Sequence, residues 1–300
     1  MVRHHGGPVW IKQWLPVDRR RRASGYGARA QAALADRYVV AHELGRGMNA
    51  VVYLAHDRRE ARLVAIKLLA AEIAVALHSQ RFLREIQIAA KLTHPRIVPL
   101  LDAGDAEGLP YYVMPYVEGE SLRDRLRHPE QVPLTEVYQI VRDVADALDY
   151  AHRHNVVHRD IKPENILFEQ GRAVVVDFGI ARGITMGSLP RVTKDGMTVG
   201  TPAYMSPEQA AGDSHIDGRS DVYSLGCVLY ELLAGRPPFA DGTPIEILHQ
   251  HGRDPVPSIT AVRPDVPQPV SVALDKALAK RPSARFDTAV AFAEAVGAPR

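Results

Sequence analysis

The stretch that decides the fold is VVHRDIKPENILFEQGRAVVVDFG, residues 156–179. It holds two short apolar runs separated by turn chemistry. The first is Ile166-Leu167-Phe168 and the second is the β-branched run from Ala173 to Val176, with Glu169-Gln170-Gly171 between them. Such a hairpin brings Asp160, Asn165 and Asp177 to one end, with Lys162 beside them. Two carboxylates and a carboxamide around an ammonium suit magnesium whose remaining ligands are phosphate oxygens.

Working outward, residues Val137, Ile140, Val141, Val144, Leu148 and Ala151 recur at helical spacing and lead into this stretch. Tyr38-Val39-Val40 and Val51 to Ala55 read as strands joined by a glycine-bearing turn. That turn is Leu44-Gly45-Arg46-Gly47-Met48-Asn49-Ala50, where glycine lets backbone N–H groups come close to phosphates. Residues 62–69 read as a third strand, carrying Val64-Ala65-Ile66-Lys67. An ammonium inside an apolar run is costly to bury without a partner. Glu85, close to the apolar stripe of the helical pattern Phe82, Leu83, Ile86, Ala89 and Ala90, is the candidate. Two further strands are expected over 97–101 and 110–114, and a last helix over 286–296.

HRDIKPEN followed by DFG, in this order and with Lys162 and Asn165 at matching offsets, resembles the catalytic and metal loops of eukaryotic-like protein kinases. The resemblance covers residues 38–296. The segment Gly-Thr-Pro-Ala-Tyr-Met-Ser-Pro-Glu, residues 200–208, looks most like bacterial serine/threonine kinases. It implies an α+β, bilobal fold: a small lobe of five antiparallel strands and one helix over 37–116, and a larger, mainly helical lobe over 117–297. Residues 1–36 are expected to be a basic extension outside the fold, with a short helix near 28–34.

The resemblance also implies roles. Asp160 would be the catalytic base and Lys162 would follow the γ-phosphate. Lys67, oriented by Glu85, would meet the α- and β-phosphates, and Asn165 and Asp177 would hold Mg2+, for which Mn2+ is a substitute. ATP would lie against the glycine turn, with its purine between Val52 and Ala65 on one side and Leu167 on the other. The backbone of Met114-Pro115-Tyr116-Val117 would read the adenine edge through the carbonyl of Pro115 and the amide of Val117. The family pattern has a third glycine where this chain has Ala50. Asp221 would accept backbone N–H groups of the catalytic loop, and Arg285 would pair with Glu208. Arg159 would be answered by a phosphate on Thr193 or Thr198. Two competing readings are a pseudokinase scaffold and a small-molecule kinase. The presence of Lys67, Asp160 and Asp177 weighs against the first, and the Ser-Pro-Glu segment with Arg285 against the second.

The chain has 300 residues and a net charge of +2. Residues 1–37 carry eight Lys/Arg against two Asp, which leaves 38–300 net acidic by four. The basic stretch reads as a solvated tail, so no nucleic acid partner is expected. The expected partners are proteins with Ser/Thr acceptors, including a second copy of the chain for trans-autophosphorylation. The single cysteine, Cys227, excludes an intrachain disulfide and fits a reducing, cytoplasmic setting; it is expected to be buried and inert. No apolar run reaches the roughly 18 residues of a membrane span.

Overall fold

The computed structural model describes residues 31–47, 50–69, 86, 88–105, 108, 110–178 and 202–297. The chain divides into two units. The first takes residues Met1–His78 and Leu100–Glu120, the second Ser79–Pro99 and Ser121–Arg300.

The first unit is built on five antiparallel strands: β1 (Tyr38–Arg46), β2 (Ala50–Asp57), β3 (Arg62–Leu69), β4 (Asp102–Asp105) and β5 (Pro110–Pro115), in the order β1-β2-β3-β5-β4. Alternate residues Val51, Tyr53 and Ala55 of β2 and Val64, Ile66 and Leu68 of β3 enter one core with Tyr38 and Val113. Register shifts between Val40 and His42 and between Glu43 and Gly45 mark bulges in β1, a device that bends a strand.

Two expectations about this unit need correction. The fourth strand is Asp102–Asp105, not 97–101. Pro99 has no N–H to donate, and Ile97 instead makes a parallel bridge to Val175, with the Val98 N–H donating to the Val175 carbonyl at 3.0 Å. The fold also begins before residue 37. Residues 31–34 are helical, Leu34 is 6% exposed in the sheet's core, and the Gln31 side chain accepts from the Val40 N–H at 3.0 Å. Arg37 then binds both Asp57 (3.0 Å) and Asp102 (2.8 Å), tying the start of β1 to the end of β2 and the start of β4.

The second unit is helical: α1 (Leu122–Arg125), α2 (Leu134–Arg153), α3 (Pro207–Ala210), α4 (Gly218–Ala234), α5 (Pro244–Arg253), α6 (Ile259–Val262), α7 (Gln268–Ala277) and α8 (Ala289–Ala295). The six apolar positions read as the face of α2 are all buried. α4 is buried around nearly its whole circumference, starts at an Asp217 N-cap and stops at Gly235, whose φ of 76° suits only a residue without a side-chain clash. Cys227 lies inside it, and burial pushes its thiol pKa up, away from reactivity. The last helix starts three residues later than expected, because the Thr288 side chain caps it by accepting from the Ala291 N–H at 3.1 Å.

β6 (Ile166–Glu169) and β7 (Arg172–Val175) form the antiparallel hairpin of the opening stretch. Gln170 and Gly171 have φ of 51° and 76°, the two left-handed residues that a two-residue turn needs to match strand twist. Asp143 of α2, 1% exposed, anchors the hairpin by accepting from Arg172 Nε at 2.9 Å and the Ala173 N–H at 3.1 Å.

Candidate active site

In the second unit the hairpin sets the site's geometry. The N–H of Val176, just past β7, donates to the Asn165 carbonyl at 3.0 Å, so Asn165 and the residue before Asp177 are held together. Asn165 directs its side-chain N–H2 to Asp160, reaching the main-chain carbonyl at 2.8 Å and Oδ2 at 3.0 Å. Lys162 Nζ lies 2.9 Å and 2.7 Å from the two Asp160 carboxylate oxygens. Burial works against the charge on Lys162, but the Asp160 carboxylate outweighs it and raises the lysine pKa above its ordinary value. The Asp160 side chain is 39% exposed, so a carboxylate held by two partners still faces outward. Asp177 has φ of 68°, an uncommon backbone for a non-glycine residue. Asp160, Lys162, Asn165 and the turn into Asp177 are therefore brought together as the sequence suggested.

The backbone beneath Asp160 is fixed by groups the sequence reading only partly found. His158 is fully buried; its Nε2 donates to the Val176 carbonyl at 2.8 Å and its Nδ1 accepts from the Asp160 N–H at 3.2 Å. The ring meets Phe178 edge-on with centroids 4.6 Å apart. Asp221, in the first turn of α4, accepts from the His158 N–H at 2.8 Å and the Arg159 N–H at 2.7 Å, as expected. It also meets His152 Nε2 at 2.7 Å, a contact not foreseen. Burial disfavours the Asp221 charge, yet His152 and these amides hold its pKa below the ordinary carboxylate value. Arg159 adopts φ of 69°, and its Nη2 donates to the Ile216 carbonyl at 3.4 Å.

Glu208 and Arg285 form a two-pronged pair, 2.7 Å at each prong, with the Arg285 side chain 0% exposed. Arg285 also donates to the carbonyls of Ala279, Arg219 and Lys280. Ser206 caps α3 in a reciprocal box with Gln209. A serine followed three residues later by glutamine was a visible signal, and it went unread.

In the first unit, Leu44 and Gly45 lie on β1, with Gly45 opposite Val52. The Gly47 N–H donates to the Ala50 carbonyl at 2.8 Å, closing the glycine turn, and Arg46 pairs with Glu43 at 2.6 Å. On β3, Lys67 sits between Val52 and Tyr112, its Nζ 5.7 Å from the Tyr112 ring, while Ala65 faces Met114 and Val64 faces Pro115. Val117 is buried just beyond β5. Leu167, in the second unit, lies on β6 and bridges Ser121. Met48, Asn49, Glu85, Thr193 and Thr198 lie outside the described residues.

Known proteins bear on this arrangement. The family described as a protein kinase domain matches residues 38–295. The chain is 46% identical over 267 residues to serine/threonine-protein kinase PknB of Mycobacterium leprae (strain TN), which covers 85% of this chain and 42% of that protein. It is 44% identical over 263 residues to the protein of the same name from Mycolicibacterium smegmatis, with the same coverage. The like-named protein of Mycobacterium tuberculosis (strain ATCC 25618 / H37Rv) matches at 44% with that coverage too. The chain thus spans about two fifths of the length of these curated relatives. With the five-stranded sheet, the helical second unit and the Asp160 cluster already in place, the matched span establishes that this chain belongs to the protein kinase family, in its bacterial serine/threonine branch.

Proposed function

We propose that the chain is an ATP-dependent serine/threonine protein kinase, transferring the γ-phosphate of ATP to hydroxyl groups of proteins, including its own residues 180–206. The observation that carries this reading is the Asp160 carboxylate, held by Lys162 and Asn165 and still exposed. Phosphoryl transfer asks a protein mainly for positioning and charge neutralisation. Asp160 orients the incoming hydroxyl and takes its proton. Lys162, kept protonated beside Asp160, offsets negative charge on the transferred group, and its offset from Asp160 favours serine and threonine acceptors.

The donor set fits a divalent ion. Asn165 commits its nitrogen to Asp160, so its carboxamide oxygen would be the atom it offers a metal, and Asp177 would add a carboxylate. Asn165 and Asp177 would hold magnesium, with manganese as a substitute. When bound, the ion would neutralise phosphate charge. Lys67 would meet the α- and β-phosphates, and the turn from Gly45 to Ala50 would cover them with backbone N–H groups. The Pro115 carbonyl and the Val117 backbone would read adenine, with Val52, Ala65 and Leu167 against its faces. A phosphate on Thr193 or Thr198, added by a second copy of the chain, would answer Arg159. Among the described residues no helix is long and apolar enough to cross a membrane; the reading extends to a cytoplasmic enzyme on protein substrates.

Intact-mass analysis after incubation with Mg-ATP, with and without casein as acceptor, tests this reading. The wild-type chain should gain phosphate and label casein on serine or threonine, and Asp160→Asn should do neither. Equal incorporation by Asp160→Asn would sink the assignment of the base.

A further inference from the structure

The peptide unit joining Arg159 to Asp160 is hydrogen-bonded at both ends. Its N–H, from Asp160, goes to His158 Nδ1 at 3.2 Å; its carbonyl, from Arg159, accepts from Gln209 Nε2 at 2.8 Å. This is the plane from which the Asp160 side chain projects. It needs such clamping because Arg159 sits at φ 69°, a left-handed conformation that is unfavourable for a non-glycine residue. Gln209 is itself fully committed. Its Oε1 accepts from the Ser206 N–H at 3.0 Å and the Ser206 hydroxyl at 3.1 Å, which leaves the nitrogen end for Arg159 and fixes which way the amide points.

We propose that Gln209 is a positioning residue for phosphoryl transfer: it holds the Arg159–Asp160 peptide, and so sets the direction of the Asp160 carboxylate. The proposal rests on the kinase reading given above. It gives Gln209 a function that helix capping does not require. A Ser-x-x-Glu box caps a helix as well as Ser-x-x-Gln, so a residue there only to cap α3 could be glutamate without consequence. For the Arg159 carbonyl the two differ. Glutamate at pH 7 has no proton to donate and would set an anionic oxygen against a carbonyl oxygen.

The test is steady-state kinetics of Gln209→Glu against wild type, with casein as acceptor, alongside thermal melting. The expected result is a melting temperature within a few degrees of wild type, an unchanged KM for ATP, and a kcat lower by about 10–100-fold, the penalty of a small misplacement of a reacting group. A Gln209→Glu enzyme with wild-type kcat overturns the proposal. Should Gln209→Glu fail to fold, Gln209→Met, similar in length but without a donor, decides. A folded Met variant with unchanged KM and a tenfold lower kcat supports the role, and kcat within twofold of wild type overturns it. An inactive wild type overturns the kinase reading and this inference together, whereas active wild type with active variants overturns this inference alone.

Discussion

Arg285 places its donors on the two Glu208 oxygens and three main-chain carbonyls, and nothing of its side chain reaches solvent. Removing one member of such a pair strands the other charge, a cost of about 3–5 kcal/mol. Arg285→Ala should therefore lower the melting temperature by about 10 °C, given roughly 2–4 °C per kcal/mol at this size; differential scanning calorimetry reads it directly. The pair also has a pH signature. Burial opposes the Glu208 charge, but hydrogen bonds from Arg285 and Ser220 hold its folded pKa below the ordinary 4.5. A depressed carboxyl pKa means stability that is fully present above 4.5 and lost as pH falls through the folded value. Wild-type melting should fall below pH 4.5, and Glu208→Gln should flatten that part of the curve from a lower starting point. Lys67 offers a contrast at the same scale. It lies on β3 between Val52 and Tyr112, and its proposed work is on phosphate charge, so Lys67→Ala should cut kcat while leaving the melting temperature nearly unchanged. Near-normal turnover in that variant would remove Lys67 from the mechanism.

At the scale of elements, α2 and α4 meet where Gly218 faces His152. A Cβ on Gly218 would stand 2.5 Å from His152 Nδ1 and 2.9 Å from Cγ, so the ring would have to move, and the ring cannot move without leaving Asp221. Gly218→Ala should then cost about 1–3 kcal/mol, the usual price of overpacking, and should loosen the loop that Asp221 holds through the N–H groups of His158 and Arg159. Faster hydrogen exchange at those two amides is the measurement; unchanged protection would show that the ring has room. Periodicity and turn chemistry made α2 and the β6–β7 hairpin readable, since an apolar stripe and a Gln-Gly turn are local signals. β4 was not readable. Its sequence, Asp-Ala-Gly-Asp, has no strand propensity, and it is a strand only because β5 offers it partners from Pro110 to Val113. The apolar 97–101 imitated a strand because periodicity cannot register the missing N–H of Pro99. The candidate site was legible where chemistry names the residue, as with Asp160, Lys162 and Asn165. It was opaque where a side chain supports the site from outside the recognisable motifs: neither the His152 contact to Asp221 nor the Gln209 contact to Arg159 leaves a local pattern.

On the scale of the whole molecule, the sheet's core takes in residues that composition assigns to the basic N-terminal stretch. Charge draws the line after residue 36, but the sheet's core takes in Leu34 and the Gln31 side chain satisfies the Val40 N–H. Burying a leucine is worth about 1.5–3 kcal/mol, and a net hydrogen bond adds roughly 1 kcal/mol. Two truncations test what residues 31–36 contribute. A chain beginning at Gln31 keeps both interactions. A chain beginning at Arg37 loses both, while keeping the Arg37 bridges to Asp57 and Asp102, and should be less stable by about 2–4 kcal/mol on these magnitudes. Urea unfolding followed by tryptophan fluorescence would be blind, because Trp10 and Trp14 are both removed; far-UV circular dichroism is the suitable signal. If the two truncations unfold at the same urea concentration, residues 31–36 contribute nothing to the sheet and the fold does begin where the charge changes. If the shorter chain is the weaker one, a leucine and a glutamine inside a basic, glycine-rich region are part of the domain.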